Sequence, residues 1–568
     1  MSISQELFDE TLLENEDVFE LSAEEALTET ISQFEQQGVT IKNAGILTSH
    51  PSSEEGRKER SETSSFLSNL NFLDTFVSED GSIQNSQEEN EDLILKALEE
   101  IQNTLGNMGW KGNENGDITK ELTSNVYMHA LMRSEGIFTL LSFLSSPSLN
   151  ILHKSASCLL STLNQSSSSA DSAFEIKRKI QNLFTPVLPR LVNLIATHSK
   201  SETIFLRLAF QANKGCQQNK VALVRAGKVF PKLLELISIA PSQYSSECHP
   251  KKDAILLWMH SCQLLTTLCQ YDDVTATAST AHDFAQELFR YDAVPILHKL
   301  LSIQIENTHE MEDTFSKLKC AIMSTQRVLA VNDEIVQALV AQGVLTTTCD
   351  ALDQILLKED SKDVNINIAS AALGLIRNLC GNDDIKTNVC QKSLPSILSS
   401  LSLFSQSPKV HEHVLAILAA MSLRRISNAN LLLQNNIIDS VLRSMQKYPD
   451  NEKIQRAGCL SIRNAIARQP ESVKNGIKED HSMLEHVLRN AGRFRGTVDE
   501  AYAALRDLGI RVEMIRYEEV EETDGNGVGK KNVVVKQRGV EMFGERKSNF
   551  RQTWEESEDI EERIDGLS

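Results

Sequence analysis

The sequence predicts an all-α chain built as a stack of helical repeats, and three observations carry that prediction. Aromatic residues are only 5% of the 568, and glycine and proline are sparse at 25 and 12, as in helical proteins with uniform aliphatic cores. Short apolar helices opened by proline recur along the chain. Longer helices closed by a polar turn recur downstream of them, and the turn residues between the two are spaced at a nearly fixed interval.

The proline-opened phrase appears as PRLVNLI at Pro189, PKLLELI at Pro231, PILHKLL at Pro295 and PSILSSL at Pro395. Proline is tolerated in a first helical turn, where no N–H is needed. The second phrase closes a longer helix: LLTTLCQYDD ending at Asp273, QRVLAVNDE at Glu334, LIRNLCGNDD at Asp384 and SIRNAIARQPE at Glu471. A third phrase sets a small or turn residue before an apolar helix and is read as the start of a unit: Gly136, Gly227, Asp292, Gly343 and Asn436.

These five residues are 91, 65, 51 and 93 positions apart. Two of the gaps are twice a unit of roughly 46, so the missing starts fall near Pro186 and Ser393. Units of about 40 to 47 residues with two or three helices are those of armadillo and HEAT arrays; tetratricopeptide and ankyrin units are shorter. The predicted fold is therefore an all-α, right-handed, armadillo/HEAT-like superhelical solenoid with disordered acidic terminal segments. The longer gap after Gly227 holds two insertions, PSQYSSECHPKKD and DDVTATASTAHDF.

The chain divides into four parts. Residues 1–43 read as amphipathic helices; in the second, Ser22 and Glu25 have capping-box spacing and Gly38 is the stop. Residues 44–92, rich in Ser and Glu and broken only by the apolar patch from Phe66 to Phe76, read as a disordered linker. Residues 93–516 read as the repeat array, about eight units, and 517–568 as an acidic flexible tail. The helices within 1–43 have an apolar stripe that a free tail would waste, so they are expected to dock on a partner or on the array.

Charge sharpens the functional reading. Residues 1–100 hold 24 Asp or Glu against 5 Lys or Arg, and residues 517–568 hold 14 against 8, so the net charge of −21 is terminal and the body is near neutral. That argues against nucleic acid as the partner. No apolar run approaches the ~20 residues of a membrane span, and the acidic start is unlike a signal peptide. The ten cysteines form no CxxC pair and lie mostly in apolar helices, which predicts reduced, buried thiols in the cytoplasm or the nucleus.

Taken in order, the opening QELFDETLLENEDVFELSAEEALTETISQFEQQGVTIKN, the phrases LIRNLCGNDDIKTNVC and CLSIRNAIARQP, and the closing AYAALRDLGIRVEMIR resemble the armadillo repeat family, over most of residues 4–516. The resemblance implies a helical scaffold whose third helices line a groove, where asparagines can grip an extended peptide through both amide groups. Aligning the polar turns sets Arg377 and Asn378 beside Arg463 and Asn464, with Arg327 equivalent to Arg377, and Thr267, Thr162 and Ala420 in the corresponding places elsewhere. Arg327, Arg377, Asn378, Arg463 and Asn464 are thus candidate groove residues. Each has a bland alternative as solvated helix face or cap. His282, in the loop after the YDD turn, stands where the resemblance implies a histidine-bearing insertion and is a candidate partner contact.

Catalytic strings fail on context. GNGVGK, Gly525 to Lys530, lacks the GK[ST] ending and has no predicted strand before it. HEHVL at His411 is not HExxH, and His411 and His413 read as a solvated helix start. The three tryptophans, at 110, 258 and 554, are not placed one turn before asparagines, so a basic-peptide import receptor is disfavoured. With no acid, base or metal constellation, the expected function is a non-enzymatic scaffold that binds other proteins along a concave groove, with no cofactor, small-molecule substrate, nucleic acid or membrane insertion. The alternative is a regulator of a small GTPase or chaperone, which predicts faster nucleotide release from a candidate GTPase. Small-angle scattering of residues 93–516 should give a radius of gyration clearly above that of a compact domain of equal length; a compact value would sink the solenoid.

Overall fold

Left-handed backbone marks the corners at which the helices turn. Gly227, Asp292, Gly343 and Asn436 have φ of +134°, +57°, +87° and +53°, and at the fifth corner the left-handed residue is Glu135, at +54°, beside Gly136. Glycine, asparagine and aspartate adopt this region most readily. The starts inferred near Pro186 and Ser393 are the same corner made differently, through the 3₁₀ turn Thr185–Val187 and through Ser393 at φ −112°. The corners after residue 185 all join a first helix to a second helix within one repeat. The turn phrase therefore opens the second helix and not the unit, which begins one helix earlier.

The structure, a computed structural model, describes residues 5–512 except 20, 40–46, 79–81, 84–89, 108–126, 129, 133–134, 166–170, 198–201, 244–251, 304–308 and 358–361, together with 516–523 and 529–536. It is armadillo-type and almost wholly helical, and packs as two units, residues 1–385 and 386–568. The first unit opens with α1 (Gln5–Phe19), α2 (Ala23–Gln36), α3 (Glu54–Asp74), α4 (Glu91–Asn107), α5 (Gly136–Ser142) and α6 (Leu149–Gln165). Next come four three-helix repeats: α7 (Asp171–Phe184), α8 (Leu188–Thr197) and α9 (Glu202–Asn213); α10 (Gln217–Arg225), α11 (Val229–Gln243) and α12 (Lys252–Leu268); α13 (Ala281–Arg290), α14 (Ala293–Leu301) and α15 (His309–Leu329); and α16 (Asp333–Ala341), α17 (Val344–Leu356) and α18 (Lys362–Leu379). Pro189, Pro231 and Pro295 fall in the first turns of α8, α11 and α14.

Helix α19 (Asp383–Lys392) crosses the boundary. The second unit continues with α20 (Leu394–Leu403) and α21 (Pro408–Ser422), then α22 (Ile426–Gln434), α23 (Ile437–Lys447) and α24 (Glu452–Ile466), then α25 (Glu471–Asp480), α26 (Leu484–Ala491) and α27 (Val498–Asp507). In the first unit the third helices α4, α6, α9, α12, α15 and α18 pack side by side in chain order, and in the second α21, α24 and α27 do so. Each is backed by the second helix of its own repeat. Small polar side chains tie neighbours together where the helices approach: Cys158 Sγ donates to Leu98 O at 3.3 Å, Thr325 Oγ1 to Cys262 O at 3.0 Å, and Ser461 Oγ to Leu415 O at 2.7 Å. Burial raises the Cys158 and Cys262 thiols to about 12 and Cys390 to about 11, so they stay protonated at neutral pH.

The stretch 44–92, expected to be a disordered linker, contains α3, and this corrects the reading. Phe66, Leu70 and Leu73 are buried, α3 packs on α4 and α5, and Asp74 accepts from Thr139 Oγ1 at 2.8 Å. Gly136 lies close under this contact, for a Cβ on it would meet Leu70 at 3.0 Å and push that side chain aside by a few tenths of an ångström. The amino-terminal helices then dock on this segment. Helices α1 and α2 share a core of Phe8, Leu12, Ala26 and Phe34, with Asn15 Nδ2 bonded to Thr30 Oγ1 at 2.8 Å inside it. On another face of α1, Gln5 exchanges two bonds with the Leu47 backbone, Asp9 accepts from Arg60 Nε at 2.7 Å, and Glu16 meets His50 Nε2 at 2.7 Å. The capping box at Ser22 and Glu25 is present, and Gly38 is left-handed at φ +81°.

A polar lock joins α7, α10 and the loop after α12. Asp273, buried, accepts from Arg178 NH2 at 2.6 Å, from Gln217 N at 2.7 Å and from the Thr275 hydroxyl at 2.7 Å. Burial alone would raise this carboxyl, but the bonds from Gln217, Thr275 and Arg178 outweigh it and hold it well below the usual carboxylate range. The fully buried Lys220 pairs with Asp272 and donates to Gln270 O at 2.6 Å. In the second unit Lys386 donates in the same way to Leu423 O at 2.7 Å, each lysine reaching from a first helix to the carboxyl end of its repeat's third.

The tail reading also needs correction at its start. Strands β1 (Arg516–Thr523) and β2 (Gly529–Lys536) form an antiparallel hairpin with Glu521 opposite Lys531 and Glu522 opposite Lys530. A strand therefore does precede the GNGVGK string. The string leads into a second strand, whereas a phosphate loop leads into a helix. Residues 537–568, with Trp554, lie outside the described residues, as do Trp110 and Cys248.

Two outcomes are expected. Arg60→Ala removes one side of a half-buried ion pair and should loosen α1 and α2 by about 2 kcal/mol, seen as faster proteolytic loss of residues 1–36 while the array stays intact. Asp273→Ala leaves Arg178 without its carboxylate and should cost about 3 kcal/mol, read by denaturant unfolding at pH 7. Because the folded pKa is depressed, the wild type holds this contribution above the unfolded carboxylate value of about 4 and loses it as pH falls further. The deficit of the variant should therefore narrow below about pH 4.

Candidate binding face

A third helix flanked on both sides by other third helices and backed by a second helix keeps one face for solvent. On α12 the side chains between Ala254 and Thr266 that reach this face are only half-exposed, among them Leu256, His260 and Gln263, and Trp258 is fully buried beneath them. His260 Nδ1 lies 2.9 Å from Gln263 Oε1. Burial lowers the pKa of His260, the Gln263 bond opposes that, and the charge of Arg207 on α9 adds to the lowering. The imidazole is therefore neutral at pH 7.

The candidate groove residues divide between the two units. Arg327 is half-buried in the last turn of α15, and Arg377 and Asn378 are exposed in the last turn of α18. Asn378 Nδ2 donates to Arg327 O at 2.9 Å. In the second unit Asn464 on α24 does the same to Ala419 O on α21 at 2.9 Å, and Arg463 Nε lies 3.7 Å from Asp507 Oδ2 on α27. The two asparagines are equivalent in structure as well as in alignment, each bracing its helix on the third helix before it. Their amide nitrogens serve stacking, and their side-chain oxygens are held in a fixed direction. Thr162 and Thr267 at the corresponding places are buried, and Ala420 is half-buried.

His282 is not part of this face. It is an exposed residue in the first turn of α13, a first helix and not a loop, with Nε2 3.0 Å from Gln286 Nε2. His411 and His413 correct the reading as a solvated helix start, for both are buried. α21 lies against α20 and α24, and His411 Nδ1 meets Ser444 Oγ of α23 at 2.9 Å with its ring against Tyr448. Burial and then the Lys447 charge lower its pKa. Among the described residues no group of three His, Cys, Asp or Glu side chains is placed to hold a metal ion, and no single helix is long and apolar enough to cross a membrane.

Pattern reading missed two things at this face. A second ladder ties α24 to α27, with Arg456 NH2 on Glu500 at 2.7 Å two turns before the Arg463–Asp507 pair. The seven-residue spacing of both pairs was the available signal. It also missed the hydroxyl ladder of Thr325 and Ser461, which is legible only once α15 is known to lie on α12 and α24 on α21.

Residues 1–62 match the family model described as the Armadillo repeat-containing protein 6 N-terminal domain, a span that covers α1, α2 and the first turns of α3. The chain is 25% identical to armadillo repeat-containing protein 6 of Pongo abelii over 453 residues, covering 76% of this chain and 75% of that one. It is 24% identical to the Homo sapiens protein of that name over 449 residues, with the same coverage. Among solved structures, an engineered protein aligns at TM-score 0.47 and 14% identity over 83% of this chain and 98% of its own. A designed armadillo repeat protein in complex with the peptide (KR)4 aligns at 0.36 and 17% over 49% of this chain and 99% of its own. The chain is thus similar to armadillo repeat-containing protein 6 both in its amino-terminal domain and along most of its helical repeats.

Proposed function

We propose that this chain is a non-enzymatic scaffold of the cytoplasm or nucleus that holds extended segments of partner proteins against the exposed faces of its third helices. The observation that supports it most directly is the matched pair Asn378 and Asn464. An asparagine on a helix face gains nothing in helix propensity, yet here it stands at equivalent places in two units. Its nitrogen is spent on the preceding helix, so its oxygen is aimed and can accept a backbone N–H from a peptide lying across the helices. Arg377 and Arg463 stand one residue away on the same turns and supply charge-assisted donors.

The test separates stacking from binding. Arg377→Ala with Arg463→Ala should strip partners from a pulldown from native extract, weakening each contact by roughly 0.5–3 kcal/mol, while the melting curve stays near wild type because exposed ion pairs contribute little. Asn378→Ala and Asn464→Ala should each also cost about 1 kcal/mol of stability through the lost bond between third helices. A folded variant with all four replaced that keeps every partner would show that the binding surface lies elsewhere.

A further inference from the structure

In most repeats the first helix is seated by the same three positions. The third, fourth and seventh residues are buried in α10, α16, α19 and α22, as Ile335, Val336 and Leu339 are in α16, and in α13 the set falls one residue later. The last repeat departs from this. Its first helix, α25, has Val473, Lys474 and Ile477 at those positions, and none of its ten residues is buried. Val473 is 38% exposed. An array end needs a polar outer side, but that does not explain why the positions that seat the other first helices are open as well. Helices α26 and α27 of the same repeat keep their burial, with Leu484, Val487 and Leu488 in one and Ala501, Ala504 and Leu505 in the other.

Two residues of α25 add to its loose hold. Lys220 and Lys386 stand at the fourth position of their helices, are buried, and donate to carbonyls just past the third helices of their repeats. Lys474 has the same position, yet among the described residues its ammonium meets only Glu471 of its own helix, at 3.9 Å. Gly476 stands inside the helix, and a Cβ on it would have nothing within 4 Å. It therefore lowers helix stability without allowing a close approach in return. A helix of this length is marginal in water unless packing supports it. The chain on either side is tied down all the same. Gln469, just before α25, donates to Asn430 Oδ1 on α22 at 2.9 Å, and His481, just after it, lies 3.1 Å from Asp439 Oδ1 on α23.

We propose that α25 is a strap, fixed at both ends, that lifts from the last repeat while α26 and α27 stay folded. Lifting breaks no side-chain hydrogen bond or ion pair to another element among the described residues, and no side chain of the strap gives up full burial. Few buried apolar contacts are what local opening requires. The other first helices are held by buried residues and two of them also by a capping lysine, so they open only with their repeats. The strap makes the end of the second unit its movable part, separate from the third-helix face. Its motion uncovers the place that an aliphatic set such as that of α16 fills elsewhere.

Hydrogen exchange of the full chain at pH 7, read by mass spectrometry, tests this. Amides of residues 474–480 should exchange at least a hundredfold faster than those of residues 429–434 in α22, while α26 and α27 keep their protection. Equal protection of α25 and α22 overturns the proposal. So does a joint loss of protection in α25, α26 and α27, which would mean that the whole last repeat frays. Gly476→Ala should slow exchange in α25 about fivefold, the factor expected for alanine in place of an interior glycine, and leave α26 and α27 unchanged. No change in α25 would show that its exchange does not pass through an opening of the helix and would overturn the strap. Lys474→Met should leave exchange in α25 within about twofold or slow it. A tenfold acceleration would mean that Lys474 is seated as Lys220 and Lys386 are, and the proposal would fall.

Discussion

A third helix that is apolar on both flanks and on its back can be buried only between two others of its kind, with a second helix behind. That requirement organises each unit. It forces repeats to stack in chain order, because the flank of α12 left open by α9 is closed only by α15. It also brings helix backbones close at positions where a bulky side chain would not fit, and there the chain uses Cys158, Thr325 and Ser461, small groups that donate to the carbonyl of the neighbouring helix. A hydroxyl that returns its proton to a backbone oxygen satisfies a buried polar atom without widening the gap.

The same requirement makes the first helix of the stack a liability, since it has a flank and nothing before it. Helix α3 meets that need by covering α4 and α5 with Phe66, Leu70 and Leu73. Its own amino-terminal half is then held to α1 through Arg60 with Asp9, and the chain just before it through the Gln5 exchange with Leu47. The acidic leader is therefore folded at least as far as α2 and is bound to the end of the array. The part of the chain that matches a family model, residues 1–62, ends inside the cap rather than before it.

What was legible in the sequence was what local chemistry dictates. A left-handed corner demands glycine, asparagine or aspartate, so Gly227, Asp292, Gly343 and Asn436 could be read directly, while Glu135 broke the rule and shifted that corner by one residue. Prolines announced second helices for the same local reason. The cap was not legible, because Arg60 and Asp9 are 51 residues apart and Gln5 and Leu47 are 42 apart, and each looks like an ordinary surface residue alone. Asp272 and Asp273 read as a polar turn. Their partners Lys220 and Arg178 come from two other helices far back in the chain, and no periodicity predicts that both carboxylates turn inward. At the candidate face Asn378 and Asn464 were found by alignment of the turns, but the use of their nitrogens for stacking required the neighbouring helices.

That double use bears on how a stacked fold acquires a binding surface at all. Residues chosen purely for stacking would be small or apolar, as Thr162, Thr267 and Ala420 are at the corresponding places. Asparagine at 378 and 464 adds a fixed acceptor on the open side at the cost of a weaker helix former. Because the bond to Arg327 O or Ala419 O restrains the side chain before any ligand arrives, little rotamer entropy remains to be lost on binding. Arginines one residue earlier gain from the same arrangement, since the helix that carries them is braced against its neighbour. The face is thus organised in advance by contacts whose first role is to hold the repeats together. In the second unit Glu500 and Asp507 on α27 already answer Arg456 and Arg463, so a carboxylate of a bound segment there would have to displace an ion pair.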